Sequence, residues 1–322
     1  MLTLGAVRVP ASAQARTRGD AWRDATRHTS GLVRVAAGVR LHYLDFGGPA
    51  GAPTILFLAG LGNTAHSFDD FAPRFTDKFH VVALTRRGFG ESDHPETGYD
   101  TPRLVADIRA AISALHLGRV TIIGHSIAGE EMTRFAGEYP SLVDKLVYLD
   151  AAYDRVRADA ALQEIFPVPP NVPGRPDPTA ADTVSPAAYV AFVHRVRGVN
   201  IPESDIRVRY KYDGWQEEIT TAYQSIQAEH PDYSRVKAPA LAIYAVTDTI
   251  SELEPWQRED RAHAAVWQDV VRGVERVDGL SREQFRREVE HGTVLELHGA
   301  HHWIFVSNRD EVLTAVRRFL GV

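Results

Sequence analysis

Val120-Thr-Ile-Ile-Gly-His-Ser-Ile-Ala-Gly129 is the stretch on which the reading of this chain turns. An apolar, β-branched run enters Gly124-His125-Ser126-Ile127-Ala128, and helix-forming residues follow. That is the strand, tight turn and helix of a nucleophile elbow. Such a turn forces Ser126 into a strained backbone conformation, and small residues stand at Gly124 and Ala128 because larger side chains would collide where strand and helix cross. Ser126 Oγ is then expected to project above a sheet. The Ile127 N–H points to the same place from the helix N-terminus, where developing negative charge is stabilised. The plain alternative, an ordinary serine in a glycine-containing turn, lacks a reason for the pentad to sit between strand and helix.

On either side of this stretch the pattern is regular. Val33-Arg-Val35 and Val39-Arg-Leu-His-Tyr-Leu-Asp45 alternate around Gly38, which predicts an antiparallel hairpin with one wet face. Thr54–Leu58, Val81–Leu84, Val120–Ile123, Leu146–Leu149, Ala240–Tyr244 and Thr293–Leu297 are short, largely apolar runs, as expected of parallel strands covered on both faces. Helical segments separate most of them. In Pro102–Leu117 the residues Leu104, Ile108, Ile112 and Leu115 form one apolar face behind Asp100 or Thr101 as cap. The expected fold class is therefore α/β, a mostly parallel central sheet flanked by helices.

The alternation fails twice. Residues 153–236 separate two strands by far more than a crossover needs and are read as a largely helical insertion rich in Tyr and Trp. Within it, the proline-dense run from Phe166 to Pro178 excludes helix and central strand and predicts an extended surface loop. The second excursion, from Glu252 to about Glu290, is highly charged and mostly helical. The division is a leader over 1–30, a core over 31–152 and 237–322, and the insertion between. In the leader, Met1–Val7 and Ala11-Ser-Ala-Gln-Ala15 resemble a truncated export signal, with a disordered leader as the alternative; cytoplasmic and exported locations both stay open. The segment through about Arg23 shows no periodicity and is expected to be dispensable for folding.

Composition narrows the chemistry. The 322 residues are 44% hydrophobic and 24% charged, the profile of a globular chain with a substantial core. With 36 Lys and Arg against 42 Asp and Glu, the net charge is −6, and no basic stripe offers a nucleic acid partner. No apolar run reaches the roughly 18 residues of a membrane span. The absence of cysteine excludes disulfides, thiolate nucleophiles and cysteine metal sites.

Taken together, the chain resembles the α/β-hydrolase superfamily, in its capped branch of serine esterases, lactonases, carbon–carbon hydrolases and cofactor-free haloperoxidases. The resemblance runs from about Val33 to the C-terminus. Ala59-Gly60-Leu61-Gly62 stands where these families place His-Gly-x-x, which implies the Leu61 N–H as a second oxyanion donor beside that of Ile127. Arg87-Gly88-Phe-Gly90-Glu-Ser92 matches a family segment read as a structural turn, with Thr85 in place of its Asp. Chain order in the superfamily is nucleophile, acid, histidine. Asp248, just beyond the strand Ala240–Tyr244, is the leading acid, and Asp150 at the end of Leu146–Leu149 is its competitor. In His298-Gly-Ala-His-His302 the interval to the final helix favours His302 as base, with His301 as the alternative. His125 reads as a packing or hydrogen-bonding residue. A metal held by His298, His301, His302 and Glu296 is disfavoured, because strand alternation separates Glu296 and His298 from the turn.

The resemblance implies a cofactor-free serine hydrolase acting on small to medium apolar carboxylic esters or lactones through an acyl-enzyme. Serine at the nucleophile position argues against the dehalogenase and epoxide hydrolase branches, which use Asp there. Carbon–carbon hydrolase, amidase and perhydrolase activities use the same residues, and a ligand-binding protein with a hydrolase pocket is the non-enzymatic alternative. Tyr153, Phe166, Trp215 and Trp303 are the expected substrate-lining residues. Most other aromatics of the insertion are expected to form its own small core.

Overall fold

The computed structural model describes residues 22–211, 224–225 and 229–322. Its eight strands are β1 (Thr29–Ala36), β2 (Val39–Gly47), β3 (Thr54–Leu58), β4 (His80–Leu84), β5 (Val120–His125), β6 (Val143–Leu149), β7 (Ala240–Val246) and β8 (Gly292–His298). They form one sheet in the order β1-β2-β4-β3-β5-β6-β7-β8. The β1–β2 and β2–β4 pairs are antiparallel, and the five pairs from β4 to β8 are parallel. Every strand expected from the apolar runs is present, and β5, the strand of the opening stretch, lies inside the sheet.

Period-two alternation sorts the side chains of the parallel strands into two cores. Ile55, Phe57, Val81, Ala83, Ile123, Val147 and Ile243 face one way. They pack with Phe68, Phe71, Phe75 and Phe305 and with Val312 and Val316 of the final helix. Leu56, Leu58, Val82, Ile122, Leu146, Tyr148 and Ala242 face the other way, against Val105, Ile108 and Ile112, Met132 and Phe135, and Phe285. The helices that supply these contacts are α1 (Thr101–Ala114), α2 (Ala128–Glu138), a 25-residue helix Ala264–Glu288, and the final helix Arg309–Leu320. At the start of α1 the Asp100 side chain accepts from the Arg103 N–H at 3.0 Å, as a cap should.

Between β6 and β7 come α3 (Arg155–Ile165), α4 (Pro186–Arg197) and α5 (Glu203–Lys211). Continuing in chain order, α6 is Ala264–Glu288 and α7 is Arg309–Leu320. The Tyr189 ring meets those of Phe192 and Tyr210, with centroids 6.1 and 5.4 Å apart, and all three belong to the same core as Ile55, Phe57 and Phe305 of the sheet side rather than to the separate small core expected of the insertion. Residues 167–178 carry neither helix nor strand. The expected boundary at residue 31 falls late: Thr29 and Ser30 already pair with Asp45 and Leu44 in β1, and Asp24 and His28 are bonded ahead of it. Residues 1–21, which carry the export-signal resemblance, lie outside the described residues.

The approach of α2 to the sheet is close enough to dictate its sequence. A Cβ on Gly124 would stand 2.6 Å from Met132 Sδ, and one on Gly129 only 1.8 Å from the Ala151 carbonyl oxygen. Backbone cannot give way as a flexible side chain can. Gly129→Ala is therefore expected to cost about 3 kcal/mol of stability or more, at the upper end of overpacking effects, as measured by urea denaturation at neutral pH.

Candidate active site

Ser126 lies one residue beyond β5 with φ of +56°, in the left-handed region that a side chain disfavours. Its N–H donates to the Leu149 carbonyl at 3.2 Å, so the turn is fastened to the end of neighbouring β6. His302 Nε2 is 3.0 Å from Ser126 Oγ, and His302 Nδ1 is 2.5 Å from Asp150 Oδ2. Serine, imidazole and carboxylate thus form one continuous hydrogen-bonded chain. The carboxylate is also oriented from its other oxygen: Asp150 Oδ1 accepts from the Ala245 N–H at 2.9 Å and from Tyr153 Oη–H at 2.5 Å. Burial and the negative charge of Asp150 push the Tyr153 hydroxyl well above its usual range, which keeps it a proton donor.

The carboxylate that meets His302 is therefore Asp150, where the sequence favoured Asp248 as the acid. The reason lies in the sheet. Asp150 directly follows β6, next to β5, and its φ of +49° puts a left-handed turn there as the chain leaves the strand. Asp248 follows β7, whose last residue Val246 pairs with His298 at the end of β8. Asp248 Oδ2 accordingly meets His298 Nδ1 at 2.7 Å in an exposed pair, which raises the His298 pKa above its ordinary value. His301 is also settled in another contact: its Nδ1 accepts from the Trp303 N–H at 3.1 Å, and its Nε2 faces Glu254 at 3.6 Å. That half-buried carboxylate also receives Arg197 of α4 and Arg175 of the proline-dense loop, at 2.9 and 3.3 Å. The insertion is thereby tied to the loop that carries His302.

His125 supports the same loop from below. Its ring lies 4.6 Å from that of His302, and Nε2–H donates to the His302 carbonyl at 3.1 Å. Burial and the neighbouring His302 hold its pKa well below the ordinary value, so the ring is neutral with its proton on Nε2. Trp303, expected against substrate, is buried with its ring 4.9 Å from His125 and 5.8 Å from Phe305. Phe166 packs against α6, where a Cβ on Gly273 would stand 2.4 Å from its ring. Tyr153 serves Asp150. Trp215 lies outside the described residues, as do Tyr212 and Tyr223.

The loop after β3 approaches Ser126 at Gly60, where a Cβ would stand 2.8 Å from His125 Nδ1 and 3.3 Å from Ser126 Cβ. Beyond Gly60, the Leu61 side chain packs against the cluster of Leu104 and Ile127, so the two residues expected to supply oxyanion donors are neighbours. Arg86 clamps this loop, which carries Ala59 where the family pattern has His. Its Nη2 donates to the Ala59 carbonyl at 3.0 Å, its Nη1 to the Gly60 carbonyl at 3.4 Å, and its Nε to Glu131 of α2 at 2.5 Å. One buried guanidinium thus joins the loops after β3 and β4 to the elbow helix. Arg87, expected in a structural turn, is bidentate to Asp107 of α1 at 2.6 and 2.7 Å.

Comparison with known proteins agrees with this architecture. A family model described as alpha/beta hydrolase fold matches residues 53–309. The chain is similar to 2-(acetamidomethylene)succinate hydrolase of Mesorhizobium japonicum, 28% identical over 186 residues that cover 54% of this chain and 67% of that protein. It is also similar to a soluble epoxide hydrolase of Corynebacterium sp., 32% identical over 41% of this chain and 44% of the relative. Several further relatives are matched over only 29% of their length. Among solved structures, E-2-(acetamidomethylene)succinate hydrolase superposes with a TM-score of 0.65 at 20% identity, covering 92% of this chain and all of that one. A meta-cleavage product hydrolase from Pseudomonas fluorescens gives 0.62 at 18% identity over 90% and 97% of the two chains.

The two carboxylates should separate cleanly on substitution. Asp150→Asn leaves the fold but removes the charge that holds the imidazole, and is expected to lower kcat on an activated ester by about three to four orders of magnitude. Asp248→Asn loses one exposed ion pair and should stay within about twofold of wild type. Initial rates with p-nitrophenyl acetate check both.

Proposed function

Because this chain belongs to the alpha/beta hydrolase family, we infer that it is a serine hydrolase cleaving small to medium apolar carboxylic esters or lactones through an acyl-enzyme. The observation that carries this reading is the chain of contacts from Ser126 Oγ through His302 to Asp150, at 3.0 and 2.5 Å. Ser126 Oγ attacks the acyl carbon while His302 Nε2 takes its proton, and Asp150 stabilises the imidazolium that forms. The N–H groups of Leu61 and Ile127 receive the oxyanion. The tetrahedral centre collapses with the proton passing from His302 to the leaving oxygen. Water then enters, gives a proton to His302, attacks the acyl carbon and releases the acid as Ser126 regains its proton. No step calls on a cofactor.

The helical insertion supports the size preference. It is joined to the base loop through Glu254 and to the loop after β3 through Asp205, which accepts from Asn63 Nδ2 and from Thr64 N–H and Oγ1–H at 2.7 to 2.8 Å. A layer docked at both sides of the nucleophile suits a compact acyl group better than a polymer. The likeness to proteins named as 2-(acetamidomethylene)succinate hydrolase and meta-cleavage product hydrolase favours amide or carbon–carbon cleavage as the second reading. Both would employ the same three side chains.

Hydrolysis of a panel of p-nitrophenyl esters and lactones of graded acyl length, with matched amides and vinylogous diketones, tests the proposal. Turnover is expected to peak at short to medium acyl chains, and Ser126→Ala should reduce it by at least about 10³-fold with an unchanged circular dichroism spectrum. Undiminished esterase activity in the folded variant would exclude Ser126 as nucleophile. Turnover confined to the amides or diketones would replace the ester reading by the second.

A further inference from the structure

Away from the triad, four side chains with metal-ligating atoms converge from two distant parts of the chain. Asp24 and His28 precede β1, and His66 and Asp69 belong to the turn after β3. Asp24 Oδ2 lies 3.1 Å from His28 Nε2 and 3.3 Å from His66 Nδ1, which is 2.9 Å from Asp69 Oδ2. One ligand atom from each residue falls within 4.8 Å of all the others. Ligands at 2.0–2.1 Å around a tetrahedral ion stand about 3.3–3.4 Å apart; the three close pairs already lie near that spacing, and the wider ones, within 4.8 Å, would draw in around an ion.

Three further features favour an ion over a simple ion-paired network. Asp69 is only 4% exposed, yet its Oδ1 has no hydrogen-bond partner among the described residues. A proton on His66 can bridge only two of these atoms at a time, whereas a divalent cation engages all four residues together. Outer partners already fix the ligands: the Thr26 N–H donates to Asp24 Oδ1 at 2.8 Å, Ser204 Oγ–H donates to Asp69 Oδ2 at 2.5 Å, and the His42 ring stacks on His66 with centroids 5.8 Å apart. Such second contacts orient the first set of ligands in metal sites. Two imidazoles in the set select a first-row transition ion over calcium or magnesium, which prefer oxygen alone.

We propose that Asp24, His28, His66 and Asp69 bind one divalent transition-metal ion, zinc foremost, as a structural tie. The ion clamps the segment ahead of β1 to the turn after β3, and through Ser204 it reaches the first turn of α5 in the insertion. The site is independent of the hydrolase reading and has no part in the ester chemistry.

Metal analysis of the tag-free full chain, stripped with chelator and dialysed against zinc chloride, is the test. A single zinc ion retained per chain is expected, and Co²⁺ should give the intense visible absorption of a tetrahedral site. Asp69→Asn and His28→Gln should each weaken zinc binding by at least about tenfold, the lower bound seen for disturbed metal shells. His28 is partly exposed and sits ahead of the sheet, so His28→Gln keeps the test alive if the buried Asp69 variant fails to fold. A wild-type chain that retains no zinc would overturn the proposal. So would zinc retained equally by wild type and His28→Gln, since the ion would then lie elsewhere, as at the exposed His298.

Discussion

A left-handed backbone at a residue with a side chain costs about 1–2 kcal/mol, and Ser126 is held in that state by its surroundings. The Ser126 N–H is fastened to the end of β6, and the helix that follows lies so near the sheet that Gly129 has no room for a methyl group. Strand, turn and helix cannot relax independently. The serine oxygen is therefore displayed above the sheet, beside a helix N-terminus and within reach of His302, because the packing leaves no other path. The remaining site elements are arranged around this fixed point.

Each of those elements has its own anchor. Asp150 adopts a second left-handed turn, at the end of the adjacent strand, and both its oxygens are committed: one to His302, the other to Ala245 and Tyr153. His302 stands in the short loop directly after β8, at the far edge of the sheet, and that loop is held by His125 beneath and Glu254 beside it. The loop after β3 is clamped by Arg86. Where the family pattern has His and this chain has Ala59, an arginine from the next loop binds the carbonyls of Ala59 and Gly60.

Several of these anchors are charges withdrawn from solvent: Arg86 with Glu131 and Arg155 with Glu130 are buried, and Glu254 with Arg197 is half-buried. Desolvation offsets much of the attraction in such pairs, so they add little net stability over apolar neighbours of equal size. Burial lifts the Glu130 carboxyl to a pKa of about 7 despite Arg155 alongside it. What the pairs supply is position. Each joins elements far apart in sequence through directional bonds, which an apolar contact could not do with the same specificity.

The sheet, its parallel run, the elbow and the insertion were all legible in the sequence, because they rest on local signals: apolar runs of strand length, helical periodicity, a small-residue pentad and a gap too long for a crossover. The meeting of Ser126 with His302 was legible for the same reason, since a turn motif and an interval to the final helix mark them locally. The choice between Asp150 and Asp248 was not. Both end apolar strands, and what separates them is that β6 lies beside β5, that Asp150 turns left-handed, and that β7 delivers Asp248 to His298. The same holds for Trp303, which reads as a ring near the site but packs beneath it on His125, and for the meeting of Asp24 and His28 with His66 and Asp69. Chain direction and periodicity set which elements form. Only sheet order and backbone handedness, which depend on contacts distant in sequence, decide which side chains meet.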